Sequence, residues 1–233
     1  MIPFRDNIPS RTFPVITVFI ILGNVFAFLY ELSLGRFLEP FIMQYGVVPA
    51  AVFAWPQSDL PLTAVALPFL TSMFLHGGWL HLIGNMWYLW IFGDNVEDRL
   101  GHFTYLAFYL LSGLGAGIVH TVLNSGTVIP TVGASGAIAG VLGAYIVSYP
   151  RARVLTLLPI FIFVQIIEIP AVIVLGLWFI LQFFYGAASL AATSANTGGV
   201  AWWAHVGGFV IGMILVGLFP RKDRPRYDYA SRS

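Results

Sequence analysis

The stretch Ala134–Tyr149, ASGAIAGVLGAYIVSY, decides how the rest of the chain is read. It is apolar and rich in glycine, yet a lone hydroxyl, Ser135, stands at its start. Two questions follow. One is what solvent surrounds such a run, and the other is what the hydroxyl does there.

Composition answers the first. The 233 residues are 58% hydrophobic and only 9% charged, with a mean hydropathy of +0.85. Water-soluble domains carry about 25% charged residues, so a soluble fold is excluded and the chain reads as an integral membrane protein. Its length suits one compact domain of several spanning helices, each needing ~20 apolar residues. The absence of cysteine rules out disulfides, a thiolate nucleophile and a thiolate metal site. A net charge of +1 is neutral as to a nucleic-acid partner, and none is expected.

Outward from 134–149, the other runs long enough to span, or nearly so, are 14–30, 79–93, 103–122, 170–188 and 201–219. The sequence therefore predicts an all-α membrane protein with six transmembrane helices in a single domain over 1–233. No small-residue cleavage site follows the first run, so it is read as a retained span. Two further apolar stretches, 62–75 and 154–167, are too short to span at ~1.5 Å per residue and contain Pro68 and Pro159. Both are expected in or near an interface.

Charge placement orients the bundle. With both termini cytoplasmic, the inner segments are 1–13, 94–102, 150–169 and the short tail 220–233. They hold ten of the eleven basic residues, and only Arg36 falls outside. Cytoplasmic loops collect Lys and Arg. The loops 31–78, 123–133 and 189–200 are then external, and the even-numbered helices start near the outer surface.

Polar groups inside a bilayer are costly and face a partner or a cavity. The second helix opens with His81 and Asn85, four apart on one face. The fourth opens with Ser135, and the sixth carries His205 in its first turn. All four share one depth. The pairs Gly136/Gly140 and Gly208/Gly212 would let helices four and six approach closely and bring Ser135 to His205. That pairing suits a serine nucleophile with imidazole as general base. His81, Asn85 and the Ser135 backbone N–H are candidate oxyanion donors. No carboxylate is expected at this depth to orient the histidine, which makes the site a dyad. It needs no metal and no organic cofactor.

Each residue alone has a blander reading. Serine packs helices, and histidine or asparagine joins them by hydrogen bonds. The coincidence of four at one depth favours the site. Other motifs fail: Ala137 stands where a G-x-S-x-G elbow needs glycine, and H-E-x-x-H is absent.

These residues resemble the rhomboid family of intramembrane serine proteases, over about Pro14 to Pro220. GASG at 133–136 is similar to the family's G-x-S-G motif, AHVGG at 204–208 to its histidine segment, and HGGWLHLIGN at 76–85 to its H-x4-H-x3-N signature. The resemblance implies Ser135 as nucleophile, His205 as base, and His81 and Asn85 at the oxyanion. It gives His76 a structural role, as it does Glu97 and Arg99 of GDNVEDRLG at 93–101. Gly133, Gly136 and Gly208 are structural residues near the site. Two departures stand out. Leu67-Pro68 replaces the Trp-Arg common in bacterial members, and Ala139 replaces an aromatic residue that stacks on the base. The implied partners are transmembrane protein substrates and the bilayer, and the expected location is a bacterial inner membrane. The rival reading is a non-proteolytic membrane-helix binder or dislocation factor of the same fold. A transporter is more remote, because the spans show few charges or breaks near mid-membrane.

Overall fold

A computed structural model describes residues 2–160, 163–191 and 200–219. The expected tail 220–233 with its RKDRPR cluster, and most of the loop 189–200, lie outside the described residues. The main helices are α1 (Val15–Ser33), α2 (Trp79–Leu100), α3 (His102–Leu123), α4 (Ser135–Ser148), α5 (Ala171–Ala191) and α6 (Trp202–Leu218). Among the described residues, Val15–Ser33, His102–Leu123 and Ala171–Leu190 are long and apolar enough to cross a membrane. Thr63–Phe74 and Trp79–Leu100 form a fourth such unit, bent by 77°. The helices α4 and α6 are shorter and equally apolar.

The helix α4 is the axis of the bundle. Gly136 to Tyr145 are buried without a break, and α2, α3 and α6 pack around it. Its small side chains make this possible. A Cβ added at Gly208 would lie 2.0 Å from the Gly136 carbonyl oxygen, and one at Gly212 would lie 2.0 Å from that of Gly140. The backbones of α4 and α6 therefore touch, as the two glycine pairs require.

Two expectations are corrected. The helix expected over 79–93 continues to Leu100, so most of the supposed inner loop is its last two turns. It stops at Gly101, whose φ of +79° suits only glycine. The charges in those turns have partners. The Glu97 carboxylate accepts bonds from the N–H groups of Ile16 and Thr17 and from the Thr17 hydroxyl. A carboxylate at a helix start satisfies orphan N–H groups and complements the dipole, so Glu97 fixes the entry of α1. Arg99 donates to the Val216 carbonyl and ties α2 to α6.

The second correction concerns class, since the chain is not all-α. Strands β1 (Ile2–Asp6), β2 (Arg153–Ile160) and β3 (Phe163–Pro170) form an antiparallel sheet in the order β1-β2-β3, with Ile2 opposite Leu157 and Val154 opposite Ile169. The stretch 154–167 is too short to span, and its β-branched and aromatic residues favour strands. The strand β1 packs on α2, where the Trp87 indole donates to the Pro3 carbonyl at 2.7 Å. At the other end of β1, Tyr145 donates to Asp6. Burial pushes the Asp6 carboxyl up to about 6.

Candidate active site

Ser135 is the first residue of α4, where N–H groups have no carbonyl within the helix to bond. His205 lies in the first turn of α6 and is 8% exposed. The glycine contact between these helices brings the side chains together, with His205 Nε2 2.8 Å from Ser135 Oγ. The other ring nitrogen, Nδ1, is 2.7 Å from the Gln182 side-chain oxygen on α5. The Trp178 ring, one turn earlier on α5, lies 5.7 Å from the imidazole at 36°, and Trp202 meets its edge at 6.3 Å. The stacking residue that Ala139 does not supply is thus provided by Trp178 from another helix.

The second half of the site hangs on α2 and the turn before it. The buried His76 ring sits between two partners. Its Nδ1 faces the Phe74 carbonyl at 3.3 Å, and its Nε2 faces the Asn85 amide nitrogen at 3.0 Å. A carbonyl can only accept and an amide NH2 can only donate. His76 therefore carries its proton on Nδ1 and accepts from Asn85, whose second amide hydrogen is left to point elsewhere. The His76 backbone N–H donates to the Glu31 carboxylate at 3.1 Å.

His81 accepts from the Gly77 N–H at Nδ1, over 3.3 Å, which puts its proton on Nε2. That nitrogen faces Gly133, where an added Cβ would be 2.8 Å from His81 Nε2 and 3.5 Å from Ser135 Oγ. Gly133 also has a φ of +130°, and its N–H donates to the Ser72 carbonyl at 2.8 Å. Glycine here keeps open the space between the histidine donor and the hydroxyl. Gly136 keeps α4 against α3, since a Cβ there would lie 2.8 Å from that of Ala116.

His76, His81, Asn85, Gly133, Ser135, Gly136 and His205 thus gather at one end of the bundle, while Glu97 and Arg99 lie at the other. Chemically, the arrangement offers a hydroxyl bonded to an imidazole and, beside it, a His81 N–H that faces the space left open at Gly133. A recess of about 430 Å³ opens next to it, lined by His81, His120, Asn124 and Trp202 among others. Among the described residues, no group of three or more metal-ligating side chains occurs.

Sequence reasoning missed two members, Gln182 and Glu31, and did not place Trp178 against His205. Gln182 was overlooked although it is the one strongly polar side chain in the run 170–188, a signal that intramembrane polarity provides. Trp178, four residues before it, lies on the same helix face. Glu31 corrects the view that no carboxylate lies at this depth, because it is buried beside His76. It does not orient His205, whose Nδ1 partner is an amide.

The chain also has relatives among known proteins. The Rhomboid domain matches residues 64–222. Rhomboid-like protein 11, chloroplastic, of Arabidopsis thaliana is 31% identical over 66% of this chain and 52% of its own length. RHOMBOID-like protein 5 of the same plant is 31% identical over 70% of this chain and 46% of its own. Presenilin-associated rhomboid-like protein A, mitochondrial, of Danio rerio is 36% identical over 42% and 26%. The chain spans about half the length, or less, of these curated relatives. Two of them are named for organelles, so the expectation of a bacterial inner membrane gains no support from them, while a multi-pass membrane protein fits.

Proposed function

Because the chain belongs to the rhomboid family, we propose that it is an intramembrane serine endopeptidase that cuts transmembrane proteins near the external membrane face. The reading rests on the 2.8 Å hydrogen bond between Ser135 Oγ and His205 Nε2. His205 Nε2 takes the hydroxyl proton as Oγ attacks the peptide carbonyl carbon. The oxyanion is held by His81 Nε2–H, Asn85 and the Ser135 backbone N–H, at the positive end of the α4 dipole. The tetrahedral intermediate collapses as His205 returns the proton to the leaving amine. Water then hydrolyses the acyl-enzyme, with His205 again as base. No step calls for a metal or an organic cofactor.

In this reading the six main helices span the bilayer with both termini cytoplasmic. The fourteen residues of α4 cover ~21 Å, against ~30 Å of hydrocarbon. With its carboxyl end at the inner surface, its start stops about 9 Å short of the outer one. The recess lined by His81 and Trp202 would admit water beside the site. Topology is tested by single cysteines in intact cells or sealed vesicles. A membrane-impermeant maleimide added outside should label Ser125→Cys and leave Arg151→Cys unlabelled until the membrane is opened. The reverse pattern overturns the orientation.

The oxyanion assignment carries its own expectation. Removing one donor costs roughly 10²–10³ in rate, about 2.7–4 kcal/mol. Asn85→Ala should therefore lower kcat by about that factor with little change in KM. Steady-state kinetics in proteoliposomes checks this, and a rise in KM at constant kcat contradicts it.

A further inference from the structure

We infer that Gln182 is a positioning residue for His205, an uncharged substitute for the carboxylate of a catalytic triad. The inference rests on the proposed dyad and adds to it a third group from a third helix. Gln182 is buried, 8% exposed, and sits in the run of α5 that is otherwise almost free of polar side chains. A buried amide in such a setting needs a partner, and its oxygen is 2.7 Å from His205 Nδ1.

The chemistry of that bond fixes the direction of every proton on the line. An amide oxygen has no hydrogen and can only accept, so Nδ1 carries the proton. Nε2 is then a lone pair, and the Ser135 hydroxyl donates to it across 2.8 Å. With the amide turned the other way, its NH2 would donate to Nδ1. The proton would then sit on Nε2, and the serine could not be deprotonated. With its oxygen turned to the ring, Gln182 holds the tautomer that the reaction needs. Trp178, one turn earlier, holds the plane of the same ring. As a neutral acceptor, Gln182 stabilises a developing imidazolium less than a carboxylate does, but it adds no buried charge.

The ring's surroundings make the effect readable. The titratable groups acting on His205 are His81 from α2 and His120 from α3, and Ser135 faces it from α4. Among the described residues, no carboxylate bonds the ring, so one placed at 182 would be the first to do so.

The test compares Gln182→Leu and Gln182→Glu with the unmodified enzyme in proteoliposomes holding a single-span substrate with glycine near its external end. Loss of the group that orients a metal-bound histidine typically costs about 10–100-fold, and a loss on that scale is expected here. Gln182→Leu should lower kcat by about that factor while KM stays within about twofold. Gln182→Glu still accepts from Nδ1–H, so it should retain most of kcat at alkaline pH. Its carboxylate favours the imidazolium, so the acid-side fall of kcat should move to higher pH by about one unit. A merely structural role would not move that profile. Gln182→Leu with kcat within threefold of the unmodified enzyme overturns the inference, as does Gln182→Glu with an unmoved acid limb. If Gln182→Leu fails to fold, the Gln182→Glu profile decides. Ser135→Ala, run alongside, keeps the two readings apart. Cleavage that survives it sinks the dyad itself, whereas cleavage lost there but indifferent to residue 182 sinks only the role of Gln182.

Discussion

Ser135→Ala is expected to lower cleavage of a single-span substrate in proteoliposomes by on the order of 10⁵–10⁶, and His205→Ala by about as much. The double substitution should be no slower than either single one, because neither group acts without the other. Serine is a poor nucleophile until a base takes its proton. The 2.8 Å contact with Nε2 is the one polar contact of the Ser135 hydroxyl among the described residues. Stability should separate the variants. Ser135→Ala removes a half-buried hydroxyl and should leave the melting temperature in detergent nearly unchanged. His205→Ala also strands the Gln182 oxygen in a buried setting, at a cost of about 1–3 kcal/mol, and should melt earlier. Robust turnover by Ser135→Ala contradicts the nucleophile assignment. Additive losses in the double variant contradict a shared step.

The next largest effect is expected far from the reacting atoms. A Cβ at Gly212 would lie 2.0 Å from the Gly140 carbonyl oxygen and 2.5 Å from its Cα. No rotamer relieves a clash with backbone, so Gly212→Val must push α6 away from α4. Overpacking costs ~1–3 kcal/mol and sometimes more. Because α4 and α6 carry Ser135 and His205, the same displacement lengthens their hydrogen bond. A misplacement of ~1 Å can cost about 10²-fold in rate. Gly212→Val is thus expected to lose at least that factor in kcat and to melt well below the unmodified protein. Gly84→Ala is the control. Its added methyl meets nothing within 4 Å, so rate and melting should stay close to normal. Equal behaviour of the two variants would show that the close approach of α4 and α6 does not set the site geometry.

Much of this was legible in the sequence because hydrocarbon imposes few choices. Backbone groups in lipid must be satisfied within a helix or a closed barrel, so long apolar runs announce helices. The glycine spacing at 136/140 and 208/212 announced which two would touch, and with them Ser135 and His205. The sheet was not legible by the same logic, since 154–167 is apolar but for Thr156 and Gln165 and periodicity alone cannot tell a buried strand from a helix segment. Its pairing with Ile2–Asp6 is a contact across about 150 residues that no local pattern records. The extension of α2 to Leu100 was hidden by Asp94, Glu97, Asp98 and Arg99, which look like loop residues until Glu97 is seen capping α1. Gln182 was visible as a polar residue in an apolar run, but only the fold places α5 beside His205.

The most direct measurement of the central claim is covalent labelling of the detergent-solubilised, full-length protein with a fluorophosphonate probe, followed by peptide mapping. Such probes phosphonylate a serine whose hydroxyl is activated by a base and whose oxyanion is stabilised. The account expects one modified residue, Ser135, with labelling lost in Ser135→Ala and in His205→Ala and slowed in Asn85→Ala. Modification of a different serine, or labelling of Ser135 at an unchanged rate when His205 is alanine, would contradict it.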